Sequence, residues 1–283
     1  MVVPAYAGWY HVSFDNLSSL HQPSSRANLC LSATLLTGFT VFLVIIMLPL
    51  RFQIVNLKSP SAAGAHLLPL LCASAFGSFA GGAVNSRKNY TFYTFVFAAC
   101  MILIGSGLLT TLPHGLEIPG ACYGYQVILG LGIGTTFSTI SVMTSLSTDS
   151  NTHAVSQGIV AQMRVLGGSI GVAASNGIYN SMAHSRLQGI LTYEQISDLQ
   201  TSTSILQSLK PVQAEAVRVV YADSFSQSMR VCMYIAIASL VASLATWQKN
   251  PPSVSKAHAK PETKQASAEG PLTPSSDEVD FNV

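Results

Sequence analysis

Apolar residues fill six stretches of this chain with scarcely a charge among them: Leu29 to Leu50, Ala62 to Val84, Tyr90 to Leu112, Ala121 to Met143, Ala154 to Met182 and Val231 to Trp247. A helix crosses a hydrocarbon core of about 30 Å with about 20 mostly apolar residues, so the first four stretches are long enough and the last two are arguable. A very apolar soluble protein would break such runs with charges at helical spacing on a solvent face, and the first four contain none. The pattern predicts an all-α, polytopic membrane protein built as a six-helix bundle over residues 29–247.

The segments between the stretches set the expected organisation. Residues 1–28 form a polar, Ser-rich lead without periodicity, expected to be poorly ordered. It has no basic start followed by an apolar core, so it does not read as a cleavable signal, and the first helix is expected to serve for insertion. That helix is expected to end at Leu48-Pro49-Leu50-Arg51, with proline kinking it and arginine snorkelling to the interface. The short link Asn85 to Asn89 predicts that the second and third helices are antiparallel neighbours. Residues 183–227 form the longest connection, in which Thr192-Tyr193-Glu194-Gln195 resembles a capping box and Pro211 opens a short amphipathic segment. Both segments are expected to lie at the membrane interface. Residues 248–283 turn to Pro, Ser, Lys and Glu and are expected to be a disordered tail.

Composition agrees with the pattern. The chain is 49% hydrophobic and 9% charged, against about 25% charged in ordinary soluble domains. A net charge of +2 with no basic cluster larger than Arg87-Lys88 excludes nucleic acid as a partner. Cys30, Cys72, Cys100, Cys122 and Cys232 show no metal or redox spacing and read as small packing residues. Basic residues divide almost evenly between the two sides of the bundle, so charge alone gives only a weak expectation of cytosolic termini.

Small residues recur at fourfold spacing in Gly77 to Gly81, Gly130 to Gly134 and Gly167 to Gly171. Lipid gives helices no hydrophobic reason to associate, so such faces are expected at helix-packing seams. Arg164 is the formal charge within an apolar span. If the fifth helix starts near Ala154, Arg164 lies about 15 Å in and faces the bundle or a cavity; if it starts later, the side chain snorkels to the inner interface. Gln126, Gln157, Gln162 and Asn176 are neutral polar candidates for lining the same cavity. No Ser/His/Asp set and no His/Cys cluster shares a plausible site, so neither an enzyme nor a cofactor or metal is expected.

From Arg26 to Trp247 the order of motifs resembles the C-terminal half of fungal major facilitator superfamily efflux pumps, of the drug:proton antiporter type with 14 helices. The residues that carry the resemblance are Leu48-Pro49-Leu50-Arg51-Phe52-Gln53, Ser59-Pro60 with Ala63-Gly64 and Leu68-Pro69-Leu70, Gly81-Gly82 with Ser86-Arg87-Lys88-Asn89, the Gly130 to Gly134 run, Gln157-Gly158, and Arg164 followed by Gly167-Gly168 and Gly171. The resemblance implies a multi-pass protein, in the plasma membrane, that exports small amphipathic molecules such as a secondary metabolite or toxicant, with the proton as coupling ion. It also implies cytosolic termini and a partner bundle, supplied by a second bundle or a homodimer. The family's N-terminal bundle and its proton-carrying acids have no counterpart among these residues. The competing expectation is therefore a non-transporting relic or a modulatory half-transporter.

Overall fold

The computed structural model describes residues 25–87, 89–113, 115–147, 153–187, 190–191 and 210–245. The polar lead up to residue 24, the capping-box segment at 192–199 and the tail lie outside them. The described helices are α1 (Ser25–Ile54), α2 (Pro60–Ala65), α3 (Leu68–Arg87), α4 (Thr91–Leu109), α5 (Ala121–Ser147), α6 (His153–Leu187) and α7 (Pro211–Ala245). Five segments are long and apolar enough to cross a membrane: α1, the α2–α3 stretch, α4, α5 and α7. The sixth long helix, α6, has the length but is not apolar enough to be counted with them.

Four expectations change. Helix α1 does not stop at Arg51 but runs through Pro49 to Ile54, and Arg51 is buried at 2% exposure instead of snorkelling. The second apolar stretch is split at His66–Leu67. The cause is Pro69, whose ring clashes with the carbonyl four residues earlier, at Ala65, so one helix ends and another starts with proline in its first turn. Pro211 opens no separate interfacial helix, because no Gly or Pro interrupts the chain from there to Ala245 and the helix continues as α7. Finally, α3 and α4 scarcely touch although a short turn joins them; each packs along α5 instead.

The helices fall into two groups. Around α5 lie α3 and α4; around α1 lie α6 and α7, and the groups join where α4 meets α7 and α1 meets α5. Phe39, Leu43, Leu48, Phe52, Leu70, Ile102, Leu129, Phe225 and Met229 form the shared core. Buried hydroxyls are satisfied within their own helices: Thr34 bonds the Cys30 carbonyl at 2.7 Å and Thr37 the Ala33 carbonyl at 2.8 Å, as a lipid environment demands. A second apolar cluster, including Ile54, Val55, Tyr179, Leu187, Val217 and Tyr221, gathers where α1 ends, α6 ends and α7 begins. Each of α6 and α7 has 35 residues, about 52 Å of helix against a hydrocarbon core of about 30 Å. This cluster therefore continues the packing beyond the membrane. Polar ties reinforce it: an Arg186–Asp223 ion pair, Arg218 Nε donating to the Val55 carbonyl at 3.1 Å, and Gln213 donating to the Ile190 carbonyl at 2.9 Å.

Candidate functional site

Arg164 owes its place to four glycine contacts between α1 and α6. Its backbone lies against Gly38, where a Cβ would collide with the Arg164 carbonyl. One turn on, Gly167 meets the backbone of Leu35 and Gly168 faces the ring of Phe42, and two turns on Gly171 meets the backbone of Phe39. With the backbones this close, the Arg164 side chain leaves the seam toward α5 and lays its guanidinium over Phe137, 3.8 Å from the ring centroid. Its Nε is buried and has no hydrogen-bond partner. The helix begins at His153, so Arg164 sits eleven residues in, about 16 Å along the axis. At that depth a charge facing lipid is costly, whereas one stacked on an aromatic face and open on another side is tolerable.

The neutral candidates separate. Gln157, two turns before Arg164 on the same face of α6, donates to the Ser141 carbonyl at 3.0 Å and the Ser145 hydroxyl at 3.3 Å. His153 meets the same Ser145 hydroxyl at 2.8 Å, so α5 and α6 are latched together at this end. Gln162 and Asn176 are exposed on α6. Gln126 is fully buried toward the other end of α5, donating to the Cys122 sulfur at 3.6 Å with its Oε1 unpartnered. It lies eleven residues from Phe137, about 16 Å along the helix, so the structure leaves Gln126 apart from Arg164.

Other glycines build the second group. Gly130 and Gly134 of α5 face the α3 backbone at Leu70 and Ser74, Gly77 faces Leu131, and Gly81 faces Thr135 and Ser138. Gly132, on the other side of α5, faces α4, where a Cβ would stand 2.8 Å from the Ile102 nitrogen. Hydroxyls cross this seam: Ser78 donates to the Gly134 carbonyl at 3.0 Å and Thr135 to the Gly77 carbonyl at 3.3 Å.

Sequence reasoning missed Arg51, Phe42 and Phe137. Arg51 donates through Nη2 to the Pro113 carbonyl at 2.6 Å, rests 4.8 Å from the Phe225 centroid, and has an unpartnered Nη1. Five residues on, in the turn after α1, Asn56 donates to the carbonyls of Gly115 and Leu116. The signal for Arg51 was its place within, not after, an apolar run; nothing in the sequence marks Phe137 as the residue opposite Arg164. Among the described residues no group of three His, Cys, Asp or Glu side chains is placed to hold a metal ion.

Comparison with known proteins follows the same outline. The chain is 36% identical over 227 residues to an MFS-type transporter, FPY5, of Fusarium mangiferae, covering 80% of this chain and 38% of that protein. It is 25% identical to the rubrofusarin-specific efflux pump aurT of Gibberella zeae, covering 71% of this chain and 36% of the pump. With the efflux pump ustT of Ustilaginoidea virens it shares 27% identity over 74% of this chain and 39% of the pump. The chain thus spans about two-fifths of the length of these curated relatives. Among solved structures, a bacterial homologue of the human lysosomal transporter Spinster, inward-facing and unoccupied, matches with a TM-score of 0.58 at 14% identity, over 83% of this chain and 52% of that one. No family model matches the chain.

Proposed function

Since the chain belongs to the major facilitator superfamily, we propose that it supplies one of the two bundles of a transporter that exports small amphipathic molecules, a secondary metabolite or toxicant, across the plasma membrane. The observation that carries this reading is the 36% identity to a transporter over 80% of the chain. The geometry supports it: a bundle whose mid-depth charge is stacked and not ion-paired suits a binding wall better than a reaction centre. Alternating access needs two repeats moving about a site near the membrane midplane, and the described residues form one bundle. The second bundle lies outside these residues, and the proton supplies the driving gradient.

The test is expression in an efflux-deficient yeast, with the chain alone and with the chain fused to the N-terminal bundle of the Fusarium mangiferae relative. The fused protein is expected to lower accumulation of lipophilic dyes and azoles in a proton-gradient-dependent manner, and the chain alone to leave it unchanged. Efflux by neither would favour a modulatory or non-transporting bundle; efflux by the chain alone would show that copies of it suffice. Orientation is tested separately. With cytosolic termini the sequon Asn89-Tyr90-Thr91 faces the cytosol and stays unmodified; a glycosidase-sensitive mobility shift that disappears in N89Q would invert the topology.

A further inference from the structure

Resting on the transporter reading, we infer that the uncovered edge of Arg164 is an anion site, and that the molecules it takes are flat, apolar compounds carrying a carboxylate or an acidic phenol. The charge balance of the bundle is the first reason. Helices α1 to α6 contain no Asp or Glu, and the two acids of α7 are already engaged, Asp223 by Arg186 and Glu215 by Arg218. Nothing among the described residues neutralises Arg164.

The stacking geometry is the second reason. A guanidinium is planar, with its N–H donors in the plane and its face free for aromatic contact. Phe137 occupies one face of Arg164 and its Nε is covered by protein, which leaves the Nη1/Nη2 edge to a hydrogen-bond acceptor. A carboxylate meets such an edge with two parallel charge-assisted bonds, an arrangement that a neutral amide reproduces poorly and an ammonium not at all. The third reason is the surroundings. Phe137 lies under the charge and Phe42 against Gly168, one turn on along the same face of α6, both of them half-buried. An acid with an aromatic body would cover that apolar wall while its anion meets the guanidinium.

The test is equilibrium binding to the full chain in lipid nanodiscs, with tritiated naphthoate, its neutral amide and the corresponding cationic amine as probes. Naphthoate is expected to bind at least about tenfold more tightly than the amide, and the amine more weakly still. In R164Q the preference for the acid should vanish, and R164K should keep part of it. Equal affinities for acid and amide on the unaltered chain would overturn the inference without any variant having to fold, and so would a preference that survives R164Q. Binding needs no transport, so the two readings fail separately: acid preference without efflux by the fused protein would retain the site and remove the export role, while efflux of neutral dyes undiminished by R164Q, with no acid preference in binding, would do the reverse.

Discussion

The seam between α3 and α5 and the seam between α1 and α6 use the same device to different ends. In both, glycines let one helix backbone rest on the other, gaining dispersion contacts that lipid cannot otherwise favour. Between α3 and α5 the result is neutral and closed, since the hydroxyls of Ser78 and Thr135 cross to carbonyls of the facing helix. Between α1 and α6 the same closeness expels a charged side chain toward a third helix, where an aromatic ring receives it. Close packing therefore holds the first group together and, in the second, aims a cation.

The largest way to break the comparison is to fill the seams. Gly134→Leu and Gly167→Leu both drive a side chain into facing backbone and are expected to cost about 3 kcal/mol or more, or to abolish folding. Gly82→Leu, at a glycine with open space around it, should be tolerated; unfolding in mild detergent followed by circular dichroism reads all three. If Gly167→Leu proved harmless, α1 and α6 would have to be free to separate, and the aimed cation would lose its support. A smaller effect sharpens the second seam. Phe137→Leu removes the ring under Arg164 and is expected to cost about 1–2 kcal/mol in the same assay.

Much of this contrast was legible in the sequence, and the illegible parts share a cause. The apolar stretches marked the helices, the fourfold glycines marked close approaches, and Arg164 stood out as a charge within a span. Glycine spacing names a face but not its partner, however, so the pairing of α3 with α5 across the intervening α4 was hidden. The break before Pro69 was legible from the clash that proline makes with Ala65, yet an unbroken apolar run obscured it. The continuous α7 was obscured in the opposite way, because polar residues break its apolar pattern; Arg218 is tied to Glu215 and the Val55 carbonyl and Asp223 to Arg186. Arg51 was misread because its cover, the Pro113 carbonyl and the Phe225 ring, comes from segments remote in sequence.

That Arg51 gives the next test. It is a buried cation on one carbonyl and one ring, in a neutral neighbourhood, and an apolar side chain of similar volume avoids its desolvation. Arg51→Met is therefore expected to raise stability by about 1 kcal/mol, readable as a higher unfolding midpoint; a fall of that size would mean the cation is held by more than these contacts. The smallest effect belongs to Leu57, at φ 52° in the turn after α1, where Lys58 N–H closes on the Phe52 carbonyl at 3.0 Å. This is the left-handed helix terminus that glycine favours, so Leu57→Gly should stabilise the protein by about 0.5–1 kcal/mol.

The length of α6 and α7 carries a mechanical consequence. Both run well past the membrane and are clamped to each other and to the end of α1 by Tyr179, Tyr221, the Arg186–Asp223 pair and Arg218. The same rigid rod that carries Arg164 thus ends in a stiff, water-exposed lever. A tilt too small to measure at the depth of the guanidinium is magnified at the tip, where spin labels near Lys210 and Pro60 can record it from the aqueous side without touching Arg164.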